Sequence, residues 1–344
     1  MKHPRFTAWL CSAAALVLLA VPAFAQQPDA LPPEQTAPAA QEQTAEAAAP
    51  DAEAPTEEAP AADPQRTYVA LGDSIVSGVG LPDFKYTAAA IGIDVAPNFE
   101  GYPEQCYVSL VGKGLGLDRQ HAINLGLPGV MSKDMVELVK TGTMAEMNTL
   151  SGCQYNYPEF VDYIKSADVI SLQLGSNDAF VPTVVSFGEA TNWKSEDLAS
   201  IVLSGNLRGS SKETEDALNE SLKKLSLTRS EKDAVWNLFF SGMNKICENA
   251  YPESSSNLRQ IVATVKELNP DAQILIIGAT NPVPLLPEWT QLFRRLNALS
   301  KNLAAQNENV TYVPIPFAMT ATDAHPTVSG HKYIANRILR AIKK

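Results

Sequence analysis

Five short apolar runs alternate with helical patterns in the part of the chain that follows residue 65, and this alternation constrains the fold more than any other feature. The runs predict strands at residues 67–72, 121–125, 168–174, 273–279 and 309–313. Helices are predicted at residues 103–115, 132–141, 158–166, 257–268, 288–306 and 328–342. Strands rich in Val, Ile, Leu and Tyr that alternate with helices are typical of a parallel sheet covered on both faces. The sequence therefore predicts an α/β domain over residues 66–344, with a five-stranded parallel sheet of the doubly wound, flavodoxin-like kind.

The segment before this domain has two parts of different composition. Residues 1–25 combine a basic start, an almost wholly apolar stretch and an Ala-x-Ala site that ends at Ala25, and they predict a cleavable signal peptide. The apolar stretch is shorter than the roughly 20 residues of a membrane span, so we expect no transmembrane span in the mature chain and a secreted or extracytoplasmic protein. Residues 26–65 contain no aromatic or basic residue. Their Ala-, Pro- and Glu-rich composition predicts a disordered linker.

Charge and cysteine content narrow the function classes. The net charge is -11, and nine of the acidic residues lie in residues 26–65, so the domain is nearly neutral and shows no basic stripe. Nucleic acid is therefore not expected as a partner. Cys106, Cys153 and Cys247 remain after the signal peptide, and one disulfide plus a thiol, or three thiols, are both open. No cysteine pair has zinc-ligand spacing and no cofactor motif occurs, so neither metal nor cofactor is expected.

A serine lies directly after the first predicted strand. Ser74 follows the run Tyr-Val-Ala-Leu on a Gly-Asp-Ser turn. Ligands of open α/β sheets bind at the carboxyl ends of the strands, so Ser74 is a candidate nucleophile. His325, in the sequence Thr-Asp-Ala-His-Pro-Thr just ahead of the last predicted helix, is the candidate base.

Two further polar motifs follow predicted strands, Asn-Leu-Gly-Leu-Pro-Gly at residues 124–129 and Gly-Ser-Asn-Asp at residues 175–178. With the motifs around Ser74 and His325, they resemble, in chain order, the four signature blocks of the SGNH hydrolases, the esterase and lipase superfamily also called GDSL. The resemblance covers roughly residues 66–344. It implies a three-layer α/β/α fold and a serine hydrolase that cleaves carboxylic esters through an acyl-enzyme intermediate.

The resemblance also implies the roles of individual residues. Ser74 would be the nucleophile and His325 the general base. The backbone N–H groups of Ser74 and Gly129 and the side-chain amide of Asn177 would form the oxyanion hole. Gly129 is preferred to Gly126 because it closes the Asn-x-x-x-x-Gly stretch, although a simple turn role for Gly129 or Asn177 is also open.

The fourth block departs from the family pattern. The family's acid stands three residues before the histidine, where this chain has Thr322. We expect Asp323, two residues before His325, to orient the imidazole as the third member of a triad. A Ser–His dyad, in which a backbone carbonyl holds the ring, is the alternative.

Four other polar residues are given structural roles. Asp73 and Asp178 are expected to hydrogen-bond the turns that contain the nucleophile and the amide. His121 is expected at the surface or in packing, and His331 is predicted to lie on the surface of the last helix.

Residues 182–256 do not fit the minimal strand–helix pattern. Helix-start signals at Ser195 and Ser211 predict a helical insertion after the loop that contains Asn177. Its apolar residues recur at roughly helical spacing; they are Leu222, Leu225, Val235, Trp236, Leu238, Phe239 and Phe240. They are expected to pack, and a lid or one wall of an acyl pocket is the other interpretation.

Three functions remain open at this level. The first is a secreted esterase or lipase that acts on a small-molecule, lipid or polysaccharide ester. The others are a non-catalytic binding or cell-surface module on the same fold, and an acyltransferase. The Gly-x-Ser-x-Gly motif is absent, which argues against the α/β-hydrolase fold. The acyl chain, the alcohol and the oligomeric state cannot be read from the residues.

Overall fold

A five-stranded sheet organises the part of the chain that the computed structural model describes, namely residues 66–84, 102–194, 211–279, 281, 287–316 and 325–342. The strands are β1 (Tyr68–Gly72), β2 (Ala122–Gly126), β3 (Val169–Gln173), β4 (Gln273–Ile277) and β5 (Val310–Val313). Their order is β2-β1-β3-β4-β5, and every neighbouring pair is parallel. The predicted parallel sheet is confirmed, and each strand ends within about two residues of its predicted bounds.

The described residues also form ten α-helices, which lie between and after the strands and are numbered here in chain order. They are α1 (Ser74–Ser77), α2 (Tyr107–Leu115), α3 (Ser132–Thr141), α4 (Glu159–Ser166), α5 (Asn177–Ala190), α6 (Ser211–Lys224), α7 (Arg229–Asn237), α8 (Met243–Leu268), α9 (Pro287–Gln306) and α10 (Val328–Ala341). One π-helical turn, Leu238–Gly242, joins α7 to α8.

Two predicted helix starts were wrong. The first helix was predicted from Pro103, but residues 103–106 form a turn, closed by a hydrogen bond from Cys106 N to Pro103 O, and α2 begins at Tyr107. The helix predicted from residue 257 begins at Met243 and continues through Pro252. It is longer because its buried residues repeat every three to four positions before the proline as well as after it.

Helices cover both faces of the sheet, as alternate residues of each strand point to opposite sides. Val69 and Leu71 of β1 belong to a core with residues of α3, α4, α8 and α9. Tyr68 and Ala70 belong to a second core with residues of α2 and α10. The protein therefore has the three-layer α/β/α architecture.

The predicted helical insertion contributes a third apolar cluster. Ser211 begins α6 as predicted, whereas Ser195 lies outside the described residues. The insertion packs against α9 in a cluster that includes Val235 and Met243 of the insertion and Trp289 of α9. All the apolar residues that the sequence predicted to pack lie in or against this cluster, except Phe240, which is 71 % exposed.

The structure also bears on the cysteines and on the expected absence of a membrane span. Cys106, Cys153 and Cys247 form no disulfide within the described residues, which agrees with the alternative of three thiols. Among the helices of the described ranges, none is both long and apolar enough to cross a membrane. The signal peptide and the linker predicted for residues 1–65 lie outside the described residues.

The register places the carboxyl ends of the central strands side by side. Gly72 at the end of β1 pairs with Gly126 of β2 and with Gln173 of β3. The loops that contain the Gly-Asp-Ser, Asn-Leu-Gly-Leu-Pro-Gly and Gly-Ser-Asn-Asp motifs therefore start from one edge of the sheet.

Candidate active site

Ser74 is the first residue of α1 and lies at the carboxyl end of β1, an interior strand of the sheet. Asp73 caps this helix, and its Oδ1 accepts a hydrogen bond of 2.9 Å from Ile75 N. The predicted role of Asp73 in holding the turn is thus confirmed. The turn also needs Gly72, since a Cβ there would lie 2.2 Å from the carbonyl oxygen of Gln173.

The structure brings Ser74 and His325 together across 251 residues of chain, with 3.0 Å between Ser74 Oγ and His325 Nε2. His325 lies just ahead of α10, whose N-cap is Thr327; the Thr327 hydroxyl accepts a hydrogen bond of 3.2 Å from Gly330 N. Asp323 and Thr322 lie outside the described residues, so the orienting role of Asp323 stays a prediction.

A buried carboxylate adds an electrostatic contribution that the sequence reasoning missed. Asp73 is 1 % exposed. Burial raises the pKa of its carboxyl to about 6, against the opposing effects of the Ile75 N–H and the charge of His325. Asp73 is therefore largely ionised at neutral pH, and it places a buried negative charge beside the turn that contains Ser74.

The loop after β2 is held beside Ser74 by hydrogen bonds at several points. Leu127 N donates to Gly72 O at 2.9 Å, and Tyr155 Oη donates to Pro128 O at 2.5 Å. Gly129 follows with φ +78°, a conformation that favours glycine. Gly126, the alternative donor, is instead the last residue of β2, where a Cβ would lie 2.3 Å from Ser77 N.

Asn177 is the first residue of α5, directly after β3. It is buried, and its Nδ2 donates a hydrogen bond of 2.8 Å to the carbonyl of Val130, the residue after Gly129. This contact joins the loops after β2 and β3 and places the Asn177 amide beside the Gly129 loop.

Asp178 has a different partner from the one predicted. Its carboxylate accepts hydrogen bonds from Ser132 N at 3.2 Å and Ser132 Oγ at 2.5 Å, rather than from the turn that contains Asn177. The first turn of α5 faces the start of α3, so the carboxylate bridges the two helices. Burial raises the pKa of Asp178 to about 6, and the Ser132 hydrogen bonds oppose that rise.

The other histidines behave differently from each other. His121 is partly exposed and its Nδ1 lies 2.6 Å from Asp118 Oδ1, in agreement with a surface role. The surface position predicted for His331 is wrong, because this side chain is 0 % exposed. It occupies the same stripe of α10 as the buried Ala335 and Ile338, at spacings of four and seven residues.

The assembled groups have the chemistry needed for acyl transfer. A serine hydroxyl lies within hydrogen-bond distance of an imidazole nitrogen. The Asn177 amide and the Gly129 loop follow the two strands that flank β1, at the same edge of the sheet. Within the described ranges, no group of three or more His, Cys, Asp or Glu side chains could hold a metal ion.

The chain matches a known protein family over most of its length. A family model described as the GDSL-like lipase/acylhydrolase family matches residues 70–333. No curated protein gives a significant match. Similar solved structures include a lipase from a goat rumen metagenome, with 14% identity, a TM-score of 0.47, and coverage of 80% of this chain and 96% of that one.

Two Streptomyces enzymes are also similar in structure. The extracellular lipase of Streptomyces rimosus has 16% identity and a TM-score of 0.42, and the match covers 81% of this chain and 100% of that one. Phospholipase A1 of Streptomyces albidoflavus NA297 has 15% identity and a TM-score of 0.41, with coverage of 80% and 98%.

Proposed function

The chain belongs to the GDSL-like lipase/acylhydrolase family, and we propose that it is a serine hydrolase that cleaves carboxylic esters through an acyl-enzyme intermediate. The observation that carries this proposal is the distance of 3.0 Å between Ser74 Oγ and His325 Nε2. A serine hydroxyl is a weak nucleophile until an adjacent base removes its proton, and His325 is placed to be that base.

In the first half of the proposed reaction, Ser74 Oγ attacks the ester carbonyl while His325 Nε2 takes the hydroxyl proton. The carbonyl oxygen becomes an oxyanion as the tetrahedral intermediate forms. Its proposed donors are the backbone N–H groups of Ser74 and Gly129 and the Asn177 amide. One amide hydrogen of Asn177 is engaged by the Val130 carbonyl, and Nδ2 carries a second hydrogen for the oxyanion.

In the second half, His325 gives its proton to the leaving alcohol and the acyl group remains on Ser74. Water then attacks the acyl group while His325 takes one of its protons, and that proton returns to Ser74 as the acid leaves. Asp323 is proposed to orient His325. Asp73 caps the helix that begins at Ser74 and so holds the nucleophile in place.

The proposal extends to the location of the protein. Residues 1–25 have the composition of an export signal and residues 26–65 that of a flexible linker. We therefore propose an exported enzyme. N-terminal sequencing of protein recovered outside the cytoplasm should begin at Gln26.

The test of the activity is a panel of p-nitrophenyl esters from acetate to palmitate, with the full chain as enzyme. We expect turnover at one or more chain lengths, and a loss of kcat of about 10³ or more in Ser74→Ala. Ser166→Ala is the matched control, because Ser166 is an exposed serine whose hydroxyl donates to Tyr163 O. It should keep the parent rate.

The outcomes separate the candidate functions. No turnover across the panel supports a binding module, and more than a tenth of the parent activity in Ser74→Ala rules out Ser74 as the nucleophile. Transfer of the acyl group to an added sugar or lipid alcohol in preference to water identifies an acyltransferase.

A further inference from the structure

A buried hydrogen bond fixes the end of the short helix that carries Ser74. Gly78 N, just past α1, donates to the carbonyls of Ser74 and Ile75. The carbonyl of Val76 instead accepts hydrogen bonds from Cys106 Sγ at 3.1 Å and from Asn124 Nδ2 at 2.8 Å. The end of α1 packs closely against Cys106, since a Cβ on Gly78 would lie 3.2 Å from Cys106 Cβ. Cys106, the residue before α2, therefore holds α1 in place together with Asn124 of β2.

The next residue joins α2 to the helix that follows His325. Tyr107 N, the first backbone N–H of α2, donates a hydrogen bond of 3.2 Å to His331 Nδ1. An N–H at a helix start has no partner within its own helix, so His331 satisfies it from 224 residues away. The two rings are also stacked, with centroids 6.0 Å apart.

The protonation state of His331 fits this role. Nδ1 accepts a hydrogen bond only in the neutral ring, with the proton on Nε2. Burial, and to a smaller degree the charge of His325, lowers the pKa of His331 to about 4. The Nε2–H has no hydrogen-bond partner among the described residues.

Together these contacts connect the element that contains Ser74 to the element that follows His325. The connection runs from Ser74 through α1 to Cys106, along the start of α2 to His331 in α10, and back to His325. We define Cys106, the Tyr107 N–H and His331 as the brace. Gly114 allows α2 and α10 to pack closely, because a Cβ at this position would lie 2.5 Å from Leu339 Cδ1 of α10.

We propose that Cys106 and His331 are positioning residues that set the distance between Ser74 Oγ and His325 Nε2. The inference rests on the proposed function, in which this contact activates the serine. Ser74 and His325 stand on separate elements 251 residues apart, so packing and hydrogen bonds alone fix their separation. Catalytic groups need placement to within about 0.5 Å, and the brace links the two elements through buried polar contacts.

The kinetic test compares two substitutions of His331. His331→Leu keeps much of the volume and removes the acceptor, whereas Oδ1 of His331→Asn can take the place of Nδ1. We expect His331→Leu to lower kcat by about 10- to 100-fold with KM within about twofold of the parent, because misplacement by about 1 Å costs up to 10²-fold. His331→Asn should recover kcat to within about threefold.

Cys106, at the other end of the brace, allows an independent pair of substitutions. Cys106→Ala removes one of the two donors to Val76 O, the one that links α1 to the start of α2, and should lower kcat. Cys106→Ser keeps an O–H donor and should recover most of the parent kcat. Ile338→Val is the matched control. It trims a side chain of α10 that is 0 % exposed and has no polar contact, so it should lower stability and leave kcat unchanged.

A crystallographic readout separates this inference from the proposed function. In His331→Leu we expect the distance between Ser74 Oγ and His325 Nε2 to increase by about 0.5 Å or more. His331→Asn and Ile338→Val should keep the parent distance. An unchanged distance in His331→Leu, or equal kcat values for the leucine and asparagine variants, overturns the positioning role. If the parent hydrolyses no ester, the proposed function fails, and the distances still decide whether the brace sets the contact.

Discussion

Replacing Gly129 with alanine should impose two separable costs on the loop beside Ser74. The backbone of Gly129 has φ +78°, where a residue with a Cβ loses about 1–2 kcal/mol. The new Cβ would also lie 2.8 Å from Cys153 Sγ, and overpacking of this kind costs about 1–3 kcal/mol. We therefore expect Gly129→Ala to lower the free energy of unfolding by about 2–5 kcal/mol.

The chain provides a control for each cost. Gly116 has nearly the same backbone, with φ +75°, but a Cβ there meets nothing within 4 Å. Gly116→Ala should therefore show the backbone cost alone, about 1–2 kcal/mol. In a Cys153→Ala background the clash is removed, so Gly129→Ala should then cost no more than Gly116→Ala does in the parent.

The assay is urea unfolding followed by circular dichroism, with ester hydrolysis measured on the same preparations. Because the Gly129 N–H is a proposed oxyanion donor, its displacement in Gly129→Ala should lower kcat by about tenfold or more, while Gly116→Ala keeps the parent rate. Equal destabilisation by the two single substitutions would refute the clash with Cys153. An unchanged kcat in Gly129→Ala would remove this N–H from the oxyanion hole.

Three further predictions concern other side chains of the site. Asn177→Ala should lower kcat by roughly 10²- to 10³-fold with KM nearly constant, and a rise in KM at constant kcat would make Asn177 a substrate-binding residue. Asp323→Asn should lower kcat by up to about 10⁴-fold while Thr322→Ala has little effect; a loss below about tenfold for Asp323→Asn would favour a backbone carbonyl as the group that orients His325. Burial raises the pKa of Asp178 to about 6, so the folded state binds this proton more tightly than the unfolded chain. The stability that this group contributes is present below pH about 4 and is lost as the pH rises through about 6, a change of about 3 kcal/mol that Asp178→Asn should remove from urea unfolding curves. Parallel pH profiles for the parent and Asp178→Asn would contradict the last prediction.

The sheet was predictable because each strand is short, apolar and bounded by turn residues. The helix bounds were less so, since tertiary packing decided them. The helix predicted from residue 257 begins at Met243, and α8 continues through Pro252. Buried residues on both sides of the proline, among them Cys247 and Leu258, hold the helix together. Pro103 suggested a first turn, and the helix begins four residues later at Tyr107.

The candidate site was predictable where side chains follow strand ends, as at Ser74 and Asn177. Contacts between distant loops were not, because local sequence does not tell which helix start a side chain faces. Asp178 bonds to Ser132 and not to its own turn for this reason. The burial of His331 could have been read from the sequence, since His331 falls in line with Ala335 and Ile338 on one side of α10. It was instead predicted to lie on the helix surface.

The contact between Ser74 and His325 has a consequence for the folding of the chain. It spans 251 residues; Ser74 begins the first helix of the described sheet domain, and His325 lies just ahead of the last helix. Contacts of such large sequence separation form late, after the loop between them has been closed by other structure. A chain in which α10 has not docked holds the Ser74 hydroxyl with no imidazole beside it. Hydrolysis would therefore begin only when the whole domain has folded, and its recovery during refolding would measure the last step of assembly.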